Sequence, residues 1–335
     1  MKVLRLHGTG DLRLHTEPDP APGPGESLLR VTAVGLCGSD VHWFSEAGIG
    51  DARLERPLVL GHELAAVLEN GEHPGERVAV DPAIPCGVCE RCLEGNPNLC
   101  PTVRFAGHGT VDGGLRERMA WPTHCLHRLP DSLTDVDGVM LEPLGVAVHS
   151  VDLGHLKSGM TVAVFGCGPI GLLTLQVARA VGATRLFATD VLPHRLDAAR
   201  SLGATSAFKA ADGKEAAEIL AATNGKGVDV AFEAAGENEA VVAAIAATRP
   251  GGTVVLIGIP ADNHTTFTAS IARRKGLTIK LVRRMKLVYP RAIELVESGT
   301  VSVRSLVTHR FPLEDAGRAF SVASSREGIK VVIEL

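Results

Sequence analysis

Four of the seven cysteines in this 335-residue chain, Cys86, Cys89, Cys92 and Cys100, fall within fifteen residues, CGVCERCLEGNPNLC. Intervals of two, two and seven residues let one compact loop bring four thiolates onto a single ion, and the Gly, Asn and Pro residues of EGNPNLCP allow the backbone to turn back around it. In a reducing compartment a chain of this size has no use for a local disulfide staple. A shell of four sulfurs is the donor set of tetrahedral Zn(II) and leaves no position for substrate, so the expected role is structural. Buried free thiols and an iron–sulfur cluster are the alternatives the same residues allow. Cys125 and Cys167 carry no such spacing and are expected to be small buried hydrophobes.

A second group of residues points to a dinucleotide. In TVAVFGCGPIGLLTLQVARAVGA, Gly166, Gly168 and Gly171 follow an apolar strand pattern and open a helical one. The first glycine permits a tight turn, the second lets a pyrophosphate approach the backbone, and the third lets helix pack on strand. Pro169 and Ile170 complete the loop, and a proline in the first helical turn has no intrahelical N–H bond to lose. Asp190 ends the next strand pattern, nineteen residues past Gly171, where a carboxylate can accept from ribose hydroxyls. That favours NAD, because a 2′-phosphate beside Asp190 meets like charge; Arg195 is the nearby cation that can soften the discrimination.

Two further segments carry metal-ligand types. GLCGSDVHWF offers the thiol of Cys37, and PLVLGHELAAV offers the imidazole of His62 and the carboxylate of Glu63. Three protein ligands with one open position is the arrangement of a catalytic zinc. On spacing alone, a buried thiol and a satisfied core histidine fit these residues as well.

The elements that must position these groups differ between the two halves. Up to about residue 140 the pattern is short strands punctuated by Gly and Pro, as in KVLRLHG, DLRLHTE and SLLRVTAVGLC, and this half is expected to be all-β. From residue 161, buried strands alternate with helices predicted over 169–182, 193–203, 213–223 and 237–247. Such repeated units imply a parallel sheet covered on both faces. A last helix near 290–298 and the strand KVVIEL are expected to rejoin the first half.

The bulk numbers set limits on function. With 45% hydrophobic and 21% charged residues the chain is an ordinary globular protein of about two domains. A net charge of −4, from 34 basic and 38 acidic residues, gives no field of the kind that draws nucleic acid, so no nucleic-acid partner is expected. The N-terminal segment alternates like a half-buried strand and lacks the apolar core of a secretory signal, and no run of eighteen apolar residues occurs. The expectation is a cytoplasmic protein without a membrane partner.

Taken together, GLCGSDVH, PLVLGHE, the four-cysteine loop, MLEPLGVAVHS, GCGPIG and VTHRFPLEDAGRAF resemble the zinc-dependent medium-chain dehydrogenases over essentially the whole chain. LEPLGVAVHS and VTHRFPLEDA are most similar to the polyol branch, the sorbitol, xylitol and L-idonate group. The resemblance implies a GroES-like, mainly-β catalytic domain over 1–144 carrying the zinc loop 86–100, a Rossmann NAD-binding domain over 145–284, and a return to the catalytic domain over 285–335, with the active site in the cleft between the two. It also implies two Zn(II) per chain, NAD, and a homodimer or homotetramer joined through the sheet edge near GTVVLIG and GLTIKLV.

Position by position, the resemblance implies that Cys37, His62 and Glu63 hold the catalytic zinc and that Glu142 of LEPL holds its water or approaches the ion. Ser39 matches the hydroxyl that starts proton transfer from the alcohol, and His42 the histidine that carries the proton outward. Trp43 and Arg284 fall at substrate-facing positions, while Phe105, just beyond the zinc loop, suits either a wall of the pocket or a core aromatic. The implied reaction is oxidation of a secondary alcohol of a polyol to a ketone. An unactivated hydroxyl is too weakly acidic for this at neutral pH without a Lewis acid. Trp43 and Met285 stand where the sorbitol enzymes tend to have tyrosine, and a guanidinium at Arg284 grips a carboxylate in a bidentate pair. A sugar acid such as L-idonate is therefore the alternative substrate, with an L-threonine dehydrogenase-like activity behind it. A zinc-free quinone reductase-like enzyme and a cofactor-binding protein without turnover are the remaining alternatives.

Overall fold

Apolar runs such as Thr161–Phe165, TVAVF, and Val228–Glu233, VDVAFE, are buried along nearly their whole length. A strand with two apolar faces must be covered on both, and the connections needed to return a parallel neighbour are the helices that supply the cover. In the computed structural model, which describes residues 1–211 and 213–335, the chain divides into two units: Met1–Glu142 with Tyr289–Leu335, and Pro143–Val288.

The unit Pro143–Val288 holds a six-stranded parallel sheet of Thr161–Phe165, Arg185–Asp190, Ser206–Lys209, Val228–Glu233, Thr248–Leu256 and Thr278–Leu281. Its spatial order, third, second, first, fourth, fifth, sixth, is that of a doubly wound dinucleotide fold. Helices Pro169–Ala180, Pro193–Ser201, Lys214–Ala222 and Asn238–Ala247 stand where the sequence pattern predicts them, each one or two residues shorter. Phe165, Phe187, Ile219, Ala244 and Val254 form part of its core. Thr248–Leu256 is paired on both sides, which corrects the expectation that GTVVLIG lies at an edge; the two edges of this sheet are Ser206–Lys209 and Thr278–Leu281.

The other unit is built on a seven-stranded sheet whose long strand is Glu26–Gly35. One side of that strand pairs with Glu63–Leu68; on the other, its first half pairs with Arg118–Pro122 and its last residues with Lys330–Glu334. Residues from the beginning and the end of the chain thus lie on adjacent strands. Trp43, Leu58, Leu64, Met119, Phe320 and Ile333 are among the side chains of its core.

The all-β expectation for the first 140 residues is corrected by the helices Gly38–Glu46, Glu90–Leu93 and Asp135–Val139, and by the helix Leu141–Leu153 that begins at its end. Nine residues opening with Gly-Ser-Asp are too few and too polar to show a helical period. The helix Gly38–Glu46 is set instead by its start, where the Cys37 backbone N–H donates to Asp40 Oδ2 at 2.9 Å.

Candidate active site

Cys37 is the residue immediately before helix Gly38–Glu46, and His62 and Glu63 lie at the entry to strand Glu63–Leu68. Glu63 pairs in register with Gly35, which brings the two segments side by side. One donor atom from each of Cys37, His62 and Glu63 lies within 4.8 Å of the other two. His62 and Glu63 are buried, and Cys37 is half-buried.

Asp40 fastens this group. It is fully buried, takes the Cys37 N–H on one oxygen, and accepts from the Gly61 backbone N–H on the other at 3.0 Å. The same Oδ1 is 3.6 Å from His62 Nδ1. Burial opposes a positive imidazole, yet Asp40 outweighs it and holds His62 well above its ordinary value. The site therefore favours positive charge at the point where the three donors converge. A sulfur, an imidazole nitrogen and a carboxylate oxygen, with a carboxylate behind the histidine, fit a catalytic zinc in donor chemistry and in surroundings.

Phe105 sits against this group, its ring 5.2 Å from that of His62. Trp43 is 1% exposed, packed in the core and edge-on to His108 at 5.4 Å. Ser39 lies in the first turn of helix Gly38–Glu46 and His42 one turn on, with His42 Nδ1 3.0 Å from Glu46 Oε1. Glu142 is buried in the first turn of Leu141–Leu153, and burial pushes its carboxyl up to about 7. It is not one of the three clustered donors.

The sulfurs of Cys86, Cys89, Cys92 and Cys100 also lie within 4.8 Å of one another. A tetrahedron with metal–sulfur bonds of about 2.3 Å needs sulfur separations of about 3.8 Å, so the loop fits a four-sulfur zinc. Backbone N–H groups of Cys86 and Cys89 donate to Cys100 Sγ and Cys86 Sγ, both at 3.3 Å. The first of these draws the Cys100 thiol down to about 6. Cys125 and Cys167 are buried, and burial drives both thiols up to about 12, as small hydrophobes require.

In the other unit the glycine loop joins Thr161–Phe165 to Pro169–Ala180. Gly166 has φ of 93°, and a Cβ on Gly171 would collide with the Gly166 carbonyl oxygen, so both glycines are needed for the turn. Gly168 is the N-cap and Pro169 the first helical residue, with Ile170 next. Asp190 Oδ2 accepts from the Cys167 N–H at 2.7 Å and Oδ1 from the Leu192 N–H at 2.9 Å. Asp190 therefore ties the glycine loop to the following strand, a duty its spacing did not reveal. Arg195 reaches the same loop: a Cβ built on Gly168 would lie 3.7 Å from its Nη1. Arg284 belongs to this unit as well and holds φ of 50°, the left-handed region.

The alcohol dehydrogenase GroES-like domain family matches residues 23–131, and the zinc-binding dehydrogenase family matches residues 169–298. The chain is 36% identical to sorbitol dehydrogenase of Bacillus subtilis (strain 168), over 99% of this chain and 97% of that one. It is 39% identical to the Mus musculus sorbitol dehydrogenase, over 99% and 95%. The chain belongs to the zinc-dependent medium-chain dehydrogenases. Among solved structures, an Escherichia coli oxidoreductase of unknown specificity matches with a TM-score of 0.94 at 33% identity, covering 99% of this chain and 98% of that one. A zinc-binding dehydrogenase from Sinorhizobium meliloti 1021 bound to NADP matches at 0.90 and 30%, over 100% and 99%. L-Idonate 5-dehydrogenase from E. coli matches at 0.91 and 26%, over 100% and 98%. As a medium-chain dehydrogenase the chain uses zinc and a nicotinamide cofactor. Among the described residues no helix is long and apolar enough to cross a membrane.

Two residues of the site escaped the sequence reading. Asp40 lies inside the quoted GLCGSDVHWF, but nothing in the string marks it as buried. Lys330 is the other: it is 2% exposed and its ammonium pairs with Glu63 Oε2. The only signal for it is a lysine directly before the apolar run VVI of the strand KVVIE.

Proposed function

We propose that this dehydrogenase oxidises a secondary alcohol of a polyol, sorbitol- or xylitol-like, to a ketone, with the hydride passing to NAD. The observation that carries the reading is the convergence of Cys37, His62 and Glu63 within 4.8 Å. Whole-chain similarity to two sorbitol dehydrogenases supports the substrate class. Zinc held by these three residues supplies a Lewis acid that makes the substrate hydroxyl acidic enough to lose its proton near neutral pH. Nicotinamide supplies the acceptor for the hydride.

The remaining work falls to side chains of the protein. Ser39 takes the hydroxyl proton and His42 passes it outward; the Glu46 carboxylate at Nδ1 fixes the imidazole so that Nε2 is left for the relay. Glu142, buried in the first turn of Leu141–Leu153, would hold the metal's water or approach the ion. Phe105, against His62, excludes water from that side of the metal group. Trp43, buried behind His108, backs the substrate wall and offers no phenolic hydroxyl.

On the cofactor side, Gly166 to Gly171 receive the pyrophosphate and Asp190 the adenosine ribose, each of its oxygens retaining a lone pair beyond the backbone bond it already accepts. Like charge at Asp190 disfavours a 2′-phosphate, while Arg195 at the loop works in the other direction. A second Zn(II) in the four-cysteine loop, and a homodimer or homotetramer joined along the open edge of Thr278–Leu281, where Leu281 is 75% exposed, complete the reading. A cytoplasmic location fits the free thiol donors.

Arg284 favours one other substrate class. It is a cation placed by a strained backbone, and the neighbouring Met285 is buried, so a carboxylate-bearing sugar acid such as L-idonate finds a guanidinium and no competing phenol. Initial rates with NAD and NADP across sorbitol, xylitol, L-idonate and L-threonine test the whole reading. The expected result is NADH formation, fastest with a neutral polyol. A fully zinc-loaded protein that reduces neither cofactor on any of the four defeats the proposal.

A further inference from the structure

The pairing of Lys330 with Glu63 is not needed for the chemistry above, yet the fold is built around it. Lysine is almost never buried to 2% exposure without a partner, and Glu63 at 1% is buried as deeply. Both sit next to Gly35, which pairs with Glu63 on one side and with Val332, two residues from Lys330, on the other. A Cβ on Gly35 would run into Glu63 Oε2, would lie 2.8 Å from Val139 Cγ1, and would lie 3.0 Å from Lys330 Cε. A missing side chain thus opens the slot in which ammonium and carboxylate meet. The ammonium of Lys330 lies on Glu63, a carboxylate that belongs to the same three-donor group as Cys37 and His62. The lysine thus holds a group that a metal ion would also claim.

We propose that Lys330 is a positioning residue that competes with the metal for Glu63: it neutralises the carboxylate in the metal-free site and loosens the hold of Glu63 on a bound ion. The proposal rests on the metal reading of Cys37, His62 and Glu63. The coupling has a fixed sign. A divalent ion entering beside Lys330 meets like charge, and Glu63 must be shared between the two cations. Removing the ammonium therefore leaves the metal-free protein with uncompensated buried carboxylate, while the metal-loaded protein loses a repulsion. Whatever destabilises the free form more than the loaded form tightens binding, because the two effects are linked. A lysine that merely propped up the site would do the opposite on removal.

The test uses the full chain as wild type, K330M, E63Q and the double variant. Zinc dissociation constants come from competition with a chromophoric chelator, and Tm is measured for stripped and loaded protein. The ion missing from a Cys37→Ser control defines the site, and the four-cysteine ion is the internal reference. K330M is expected to hold the site's zinc about tenfold more tightly than wild type or better, and to show a wider gap between stripped and loaded Tm. In the E63Q background the K330M change is expected to shrink to within about twofold. Unchanged or weaker zinc binding in K330M overturns the proposal, as does a full tenfold effect that survives in E63Q. Recovery of folded K330M only when metal is present during expression supports it; equally poor recovery with and without metal overturns it. A wild-type chain that binds no ion at Cys37 fails the functional reading itself, whereas normal wild-type binding with an indifferent K330M fails only this inference.

Discussion

The two groups of residues in this chain that could hold a metal ion are organised in opposite ways. Cys86, Cys89, Cys92 and Cys100 come from a single loop of fifteen residues, range from exposed to buried, and are supported by backbone N–H groups of the same loop. Cys37, His62 and Glu63 come from two segments; Asp40 on a helix fastens them, and Lys330 near the end of the chain pairs with Glu63. The first group offers four sulfurs and closes its shell. The second offers three different donors and leaves a position to fill. A local loop can carry a site that only has to be stable, whereas a site that must bind a changing substrate is held by long-range contacts.

The largest effect that can break this comparison is at Cys37. Cys37→Ser is expected to lower kcat on the order of a thousandfold or more and to remove one ion per chain, leaving the four-cysteine ion in place. Metal analysis and steady-state rates on the same sample check both halves. Retained activity after stripping that ion would make the two groups equivalent in role. Cys92→Ser is the converse. It should lower Tm by roughly 10 °C, as loss of a structural ion does, while kcat per folded molecule stays near wild type. A calorimetric scan beside an activity titration separates the two.

Asp40→Asn sharpens the comparison further, because it leaves all three donors intact. The side chain keeps its size but loses the charge behind His62 and one of its two acceptor oxygens. Substitution of a partner of this kind costs about 10- to 100-fold in metal affinity. Chelator competition should show that loss at the Cys37 group and none at the four-cysteine loop, which has no counterpart of Asp40 among its described contacts.

The same contrast explains what could be read in the sequence. The four-cysteine loop was legible because its donors and their spacing are local, and so was the glycine loop, because strand, turn and helix follow one another. The strands and helices of Pro143–Val288 were legible from apolar runs at two different periods. Helix Gly38–Glu46 was not, because nine residues with Gly and Ser at the start show no period and are fixed instead by the bond from the Cys37 N–H to the Asp40 carboxylate. Lys330 was invisible for a different reason: its partner lies on a strand from the other end of the chain, and no pattern in KVVIE says that the lysine points inward. Asp190 was read for its ribose role alone, since its bond to the Cys167 N–H depends on how closely two strands approach.

The smallest expected effect is at the other end of the helix that carries Asp40. Glu46 contacts His42 as Asp40 contacts His62, an acid beside an imidazole, but the Glu46 side chain is 50% exposed where that of Asp40 is 1%. Water screens an exposed pair, and such pairs are worth about 1 kcal/mol or less. Glu46→Gln keeps an acceptor for Nδ1 and should lower kcat by roughly twofold to fivefold, leaving zinc content and Tm unchanged. If His42 carries the proton outward, the loss should be recovered by a small imidazole-like buffer added to the assay, since an external base can replace a poorly oriented internal one. A Glu46→Gln effect as large as that of Asp40→Asn would mean that burial does not decide which acid matters, and the distinction between the two ends of the helix would fall with it.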